Sequence, residues 1–339
     1  MVILLYKRII HFLALSFFLL FINCVVLAQD VHLTQYYTNN QALNPAYTGS
    51  YYGDVRMVAN SRSQWGQVSS PIKTNYFSIE KKILRFPDEI GVGVLFINDQ
   101  VTAYNLVTNK IMISGSYQKE IRKNIFRLGI QGGMVFRSIN VGNQTFPDQW
   151  NYYQGVYDPS ISSGETNIQN LKAYSDFNVG ASWSRRFGIA KVTVGYAIFN
   201  INRPHDGFVP TTSAGLPFKH VFSPTVTLSV SQKTNIIPYA LYMNSAGAVD
   251  FMGGSNITYA LMHNTSVLFG AGYRGSTINS DAVIGVAGVN YKRIQLGFSM
   301  DFTVSQLNGA KNKSAWELML TYTTPSRIPG KVTIPCQRY

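Results

Sequence analysis

Cysteine is almost missing from this chain. Two occur, Cys24 and Cys336, so neither a disulfide framework nor a cysteine-based metal centre can be built from them. Charge is scarce as well: Asp, Glu, Lys and Arg make up 13% of residues, against about 25% in an average soluble domain. Histidine is thin beyond the amino-terminal leader, where His32, His205, His220 and His263 stand apart from one another and from any acidic pair at ligand spacing. No HExxH, CxxC, Walker loop or G-x-S-x-G elbow occurs. No catalytic residue, metal ligand or cofactor site is therefore expected. Long apolar runs are missing too. After residue 28 nothing approaches the roughly 18 consecutive apolar residues of a spanning helix, so any passage through a membrane must be made by strands.

What is present is alternation. About fourteen runs of about ten residues switch between apolar and polar side chains. They lie near 54–63, 72–84, 89–98, 106–121, 125–139, 172–187, 190–200, 222–231, 235–245, 253–263, 265–275, 282–291, 293–304 and 316–322. In the run from Arg293 to Val304, Ile294, Leu296, Phe298, Met300, Phe302 and Val304 share one face. Arg293, Gln295, Gly297, Ser299, Asp301 and Thr303 share the other. The same split places Val192, Val194, Tyr196 and Ile198 together, likewise Phe177, Val179, Ala181 and Trp183, and likewise Val226, Leu228 and Val230.

Gaps after even runs are tiny and rich in Asn, Gly and charge, such as Arg122-Lys123-Asn124, Gly188-Ile189, Asn264 and Lys292. Gaps after odd runs are longer, and Asn140 to Leu171 and Ile201 to Val221 exceed ordinary connections. A soluble sandwich also alternates, with its apolar face as core, but it has no reason to sort its loops by length. Low charge, together with 21 Tyr and 20 Phe, suits a lipid-facing wall with aromatic girdles. The expected fold is all-β: a transmembrane antiparallel β-barrel of about fourteen strands, with short periplasmic turns, long extracellular loops and polar side chains lining the inside.

The ends organise around this barrel. Residues 1–28 combine Lys7-Arg8, an apolar core from Ile9 to Ile22 and a cut after Ala28, the pattern of a Sec signal peptide. Residues 29–53 form a periplasmic amino-terminal segment, 54–322 the barrel, and 323–339 a periplasmic tail interrupted by Pro325, Pro329 and Pro335. Both end segments can plug the lumen or hold a periplasmic partner. Loss of Lys7 and Arg8 takes the formal charge from +13 to +11. The cations are scattered through turns and strands without a basic helix or an aromatic-basic platform, which suits lipid headgroups, the lumen and an acidic partner rather than nucleic acid. Gly270-Ala271-Gly272-Tyr273-Arg274-Gly275 fits the letter of a dinucleotide fingerprint but lies inside a strand with no helix to follow, so it reads as wall glycine. Gly132-Gly133, which interrupts the phase of its strand, invites the same reading, as glycine that relieves crowding and permits a bulge.

Several features occur in order. They are Gln35-Tyr36, the turn Leu43-Asn44-Pro45-Ala46-Tyr47-x-Gly49, Arg62 with Gln64-Trp65, Gly91-Val92-Gly93 running to Asn98-Asp99, and Glu317-Leu318 to Tyr322. The tail closes on Cys336-Gln337-Arg338-Tyr339, Gln337 standing where Pro is common. In these the chain resembles the PorP/SprF family of Bacteroidetes outer-membrane proteins over essentially its whole mature length. The resemblance implies a component of type IX secretion and gliding motility. It would contact periplasmic ring or lipoprotein components, or serve one large surface adhesin through that adhesin's carboxy-terminal domain.

The expected function is a non-enzymatic outer-membrane barrel that binds, helps export or anchors a type IX secreted protein. A diffusion channel or hydrophobic-ligand transporter remains the alternative. Candidate partner-binding residues are Trp150, Tyr152, Tyr153 and Tyr157 in the longest loop, and Asn44, Pro45, Ala46, Tyr47 and Gly49 in the turn, for which a purely structural turn is the competing reading.

Overall fold

A computed structural model describes residues 33–64, 71–85, 88–139, 145–162, 172–205, 215–262, 264–276, 282–304 and 314–326. The leader 1–28, Trp65, His32, His263 and Cys336 lie outside these. Fourteen antiparallel strands close into a barrel in which each pairs with its chain neighbours and the first pairs with the last. They are β1 (Val55–Gln64), β2 (Ile72–Arg85), β3 (Asp88–Val101), β4 (Leu106–Ile121), β5 (Asn124–Ile139), β6 (Lys172–Phe187) and β7 (Ala190–Phe199), then β8 (Lys219–Ser229), β9 (Thr234–Ser245), β10 (Ala248–Met262), β11 (Thr265–Ser276), β12 (Ala282–Tyr291), β13 (Ile294–Thr303) and β14 (Ala315–Thr323). No helix among the described residues is long and apolar enough to cross a membrane.

Alternation sets the facing. On β5, Ile130 is 69% exposed and the next residue, Gln131, is 5% exposed, so one points outward and the other into the lumen. On β13, Ile294, Leu296, Phe298 and Phe302 are exposed while Gly297, Ser299 and Asp301 are buried. An exposed apolar surface of this extent is tolerated only against lipid. Outward aromatics fall into a band: Tyr196 on β7 stands opposite Phe222 on β8, which faces Tyr242 on β9, which faces Phe251 on β10. That is the girdle expected where amphipathic rings meet headgroups.

The loops sort by rim with two exceptions. The first is the four-residue link from β3 to β4, Thr102 to Asn105, no longer than Val230 to Lys233 on the short-turn rim. The second is the link from β9 to β10, only Ala246-Gly247, both at positive φ (50° and 86°), the signature of a tight two-residue hairpin. Ala248 to Met252 extends β10 instead of forming a loop. Its outward Phe251 and inward Met252 carry the alternation on past Gly253-Gly254.

Gly132-Gly133 relieves crowding, as expected, but makes no bulge: β5 pairs in unbroken register with β4 and β6 through both glycines. Gly133 is needed for room, since a Cβ there would meet the backbone of Ile111 and Met112.

The lumen is also less polar than expected. Val58, Leu95, Met112 and Met319 form one buried cluster on the inner wall. Val221, Leu241, Met252 and Ile284 belong to another. Apolar side chains are stable there because something dry covers them.

Candidate functional site

What covers them is the amino-terminal segment. From Leu33 it runs through a turn of 3-10 helix (Tyr36–Thr38), one turn of α-helix (Asn40–Leu43) and a second 3-10 turn (Pro45–Tyr47), then enters β1. Leu33 packs into the first apolar cluster and Tyr36, Leu43 and Tyr47 into the second. Each such side chain stabilises the docked state by about 1.5–3 kcal/mol relative to leaving it exposed. Tyr36 and Tyr37 set their rings against Tyr239, with centroids 5.8 and 5.3 Å away. Burial, reinforced by the neighbouring ring hydroxyls, pushes both their hydroxyl pKa values well above the ordinary phenol range.

Two buried wall carboxylates tie the ends of this plug. At its start, Glu317 on β14 accepts the backbone N–H of Thr34 (2.6 Å) and of Gln35 (2.9 Å), and the side-chain amide of Asn60 (2.8 Å). Arg62 on β1 lies 3.5 Å from Glu317 and 2.8 Å from Asp301, and donates to the Thr34 hydroxyl. That hydroxyl in turn donates to Asp301 (2.9 Å), and Arg274 on β11 completes the group 3.0 Å from Asp301.

At the end of the plug, Glu80 on β2 accepts the Gly49 N–H (2.7 Å) and pairs with Arg56 (3.0 Å). Arg56 also donates to the Thr38 carbonyl (2.6 Å). Glu80, Asp301, Glu317, Arg56 and Arg62 thus each have a counter-charge and further hydrogen bonds, the condition under which such groups persist away from water. Arg274 has Asp301 as counter-charge and leaves one buried guanidinium nitrogen without a partner.

The candidate turn residues sit between these anchors. Asn44 caps the second 3-10 turn by accepting the Ala46 N–H (2.8 Å), and its amide reaches the carbonyls of Ala181 (3.1 Å) and Tyr196 (3.2 Å). The Tyr47 hydroxyl meets Ser223 Oγ at 3.1 Å. Pro45 and Ala46 lie against Gly129 of β5, where a Cβ would collide with their backbone. Ala46 is 0% exposed. Asn44, Pro45, Ala46, Tyr47 and Gly49 therefore all face the wall in this arrangement.

The aromatic candidates lie elsewhere, in the loop between β5 and β6. Trp150 and Tyr157 pair across a two-residue ladder with ring centroids 4.9 Å apart at 72°. Tyr152 and Tyr153, at its tip, are 87% and 102% exposed. Just beyond, the hydroxyl and N–H of Ser160 hold the Asp158 carboxyl below its ordinary pKa. The two groups of candidates do not converge on one site.

Arg56, Glu80, Arg274, Asp301 and Glu317 were not singled out from sequence as functional. The available signal was a charge at the inward phase of a strand interior, but pairing them needs the register of distant strands. On the long-loop side of the plug is a cavity of about 60 Å³ between Leu33, Tyr36, Leu43, Leu241, Met243 and Met252. No metal-holding cluster of His, Cys, Asp or Glu occurs among the described residues.

The family model for the type IX secretion system membrane protein PorP/SprF matches residues 25–322. The chain belongs to that family. The match takes in the plug and all but the final residue of the last strand, so the wall and the segment it encloses are parts of one family unit.

No curated protein matches the sequence. Among solved structures, a monoaromatic hydrocarbon channel, CymD, is similar at 10% identity and TM-score 0.50, over 86% of this chain and 94% of that one. A FadL homologue from Pseudomonas aeruginosa is similar at 11% identity and TM-score 0.45, over 82% and 92%. The likeness to CymD shows an outer-membrane barrel fold and nothing about what passes through or binds.

Proposed function

We propose that this PorP/SprF-family barrel is a non-enzymatic receptor of the type IX machinery. It binds, helps export or anchors a secreted surface protein, such as a large adhesin through its carboxy-terminal domain, and docks to periplasmic ring or lipoprotein components. The single observation carrying this reading is the plugged lumen in a chain of a secretion-system family. A segment fixed by two buried carboxylates and an apolar seam suits holding a partner better than passing a solute.

In this reading residues 1–28 direct export, the short-turn rim faces the periplasm and the long loops face outward. Tyr152 and Tyr153 offer aromatic area to the secreted protein beside the Trp150–Tyr157 pair, the composition favoured at interface anchors. Co-purification from native membranes tests it. Tagged protein is expected to bring down a large surface protein, and a Tyr152→Ala/Tyr153→Ala variant to lose it. A native preparation that carries no secreted protein would refute the reading.

The second reading, a hydrophobic-ligand transporter, is favoured by the apolar cavity above Leu33 and Tyr36. It predicts uptake of a small apolar compound into vesicles containing this protein alone.

A further inference from the structure

Beneath the plug, on the short-turn side, the inner wall carries charge that the barrel itself does not balance. Lys82 on β2, Arg127 on β5, Arg186 on β6 and Lys191 on β7 all fall at the inward phase of their strands, in line with buried Glu80, Gln131, Ser184 and Gly195. Arg127, Lys191 and Arg186 lie one, two and three inward positions nearer the rim than Gly129, Gly195 and Gly180, the wall glycines that receive Pro45, Ala46 and Tyr47. Lys191 is within electrostatic reach of Arg127, Arg186 and Lys82, so the four form one group. Lys82 has a partner, Glu89 on β3, at 3.8 Å. Among the described residues no carboxylate comes within ion-pair distance of Arg127, Arg186 or Lys191. Glu120, at the rim end of β4, is the other acid on this inward face.

One pairing sharpens the point: Arg186 and Lys191 stand directly opposite each other across β6 and β7. Like charges in that relation destabilise a sheet, so this wall meets a cost that an anion in the vestibule would remove. Position decides which anion. Cations that serve lipid headgroups must point out of the barrel, as Lys81, Lys119 and Arg185 do at the same rim. These four point into a lumen whose floor is the plug, where bilayer lipid does not reach.

We propose that this vestibule is a docking surface for an acidic peptide segment, which enters the short-turn mouth and places its carboxylates against Arg186 and Lys191, with the buried Arg127 adding its charge from the wall behind them. That the segment belongs to a periplasmic protein rests on the orientation in the reading above; the binding itself does not.

The test uses the full-length protein in detergent and a fluorescent hexaglutamate peptide, with hexalysine as control, followed by anisotropy. Hexaglutamate is expected to bind and hexalysine not. Affinity should fall steeply between about 50 and about 500 mM salt. An Arg186→Gln/Lys191→Gln variant, altered at one exposed and one half-buried position, is expected to lose about tenfold or more in affinity. A Lys191→Arg variant and an outward Lys81→Gln/Lys119→Gln variant should keep it.

Equal binding by the lumenal and outward variants overturns the proposal. So does absence of peptide binding accompanied by loss of retained phosphatidylglycerol in the lumenal variant, which would make this a lipid site. Hexaglutamate binding by a protein that captures no secreted partner would sink the receptor reading and leave this surface standing.

Discussion

Arg62 and Asp301 are 239 residues apart in the chain and 2.8 Å apart in the lumen, both nearly inaccessible to solvent. Arg62 also stands beside Glu317 and the Thr34 hydroxyl, so one guanidinium joins the first strand, the last two strands and the plug. Replacing Arg62 with Ala leaves Glu317 without its nearest cation and Asp301 with Arg274 alone. Breaking a buried pair from one side costs about 3–5 kcal/mol. Urea unfolding in lipid vesicles, followed by tryptophan fluorescence, should show a loss of that size, and a loss under about 1 kcal/mol would mean that water reaches the cluster.

Gly129 is a place where plug and wall approach backbone to backbone with no room for a side chain. A Gly129→Val side chain cannot share that space with Pro45 and Ala46, while the pairing of β5 with β4 and β6 has no need of glycine there. Overpacking of this kind costs about 1–3 kcal/mol, and the strain falls on docking rather than on the barrel. Planar-bilayer recordings should show larger or more frequent conductance than the parent protein, with heat-modifiable migration on gels retained.

Asn44 caps a turn and bonds two strand carbonyls at once. An Asn44→Ala substitution is expected to destabilise the docked segment by about 1–2 kcal/mol. Hydrogen exchange at the Ala46 amide should accelerate correspondingly, and unchanged exchange would show that the cap contributes nothing.

Tyr152 and Tyr153 touch little of their own chain. Alanine at both should leave thermal stability within about 0.5 kcal/mol of the parent while reducing capture of the secreted partner. A stability loss of several kcal/mol would reassign them to folding the loop.

Most of the wall could be read from the sequence because strand facing is a local property with a period of two residues. Ile294 to Thr303 declares which side meets lipid without reference to any other strand. The ends of β10 could not be read so easily, since Gly253-Gly254 resembles a strand start until Phe251 and Met252 are seen to keep the phase. Nor could the plug's embrace be read. Glu80, Asp301 and Glu317 are single charges within strands, and what each one faces depends on how fourteen strands close. The turn from Leu43 to Gly49 was legible as a turn; that its underside fits Gly129 of β5 and Gly180 of β6 was not.

The plug is the first part of the described chain to be synthesised, and Glu317, which grips its leading backbone amides, lies on the last strand to be made. That same strand joins β1 to shut the wall, and the backbone of Thr324 just after it bonds Val55. Sealing the cylinder and gripping the start of its occupant thus both wait for the final strand. A truncated product would be left unzipped and with the leading end of its plug untied, a form that quality-control proteases can recognise by its free edge.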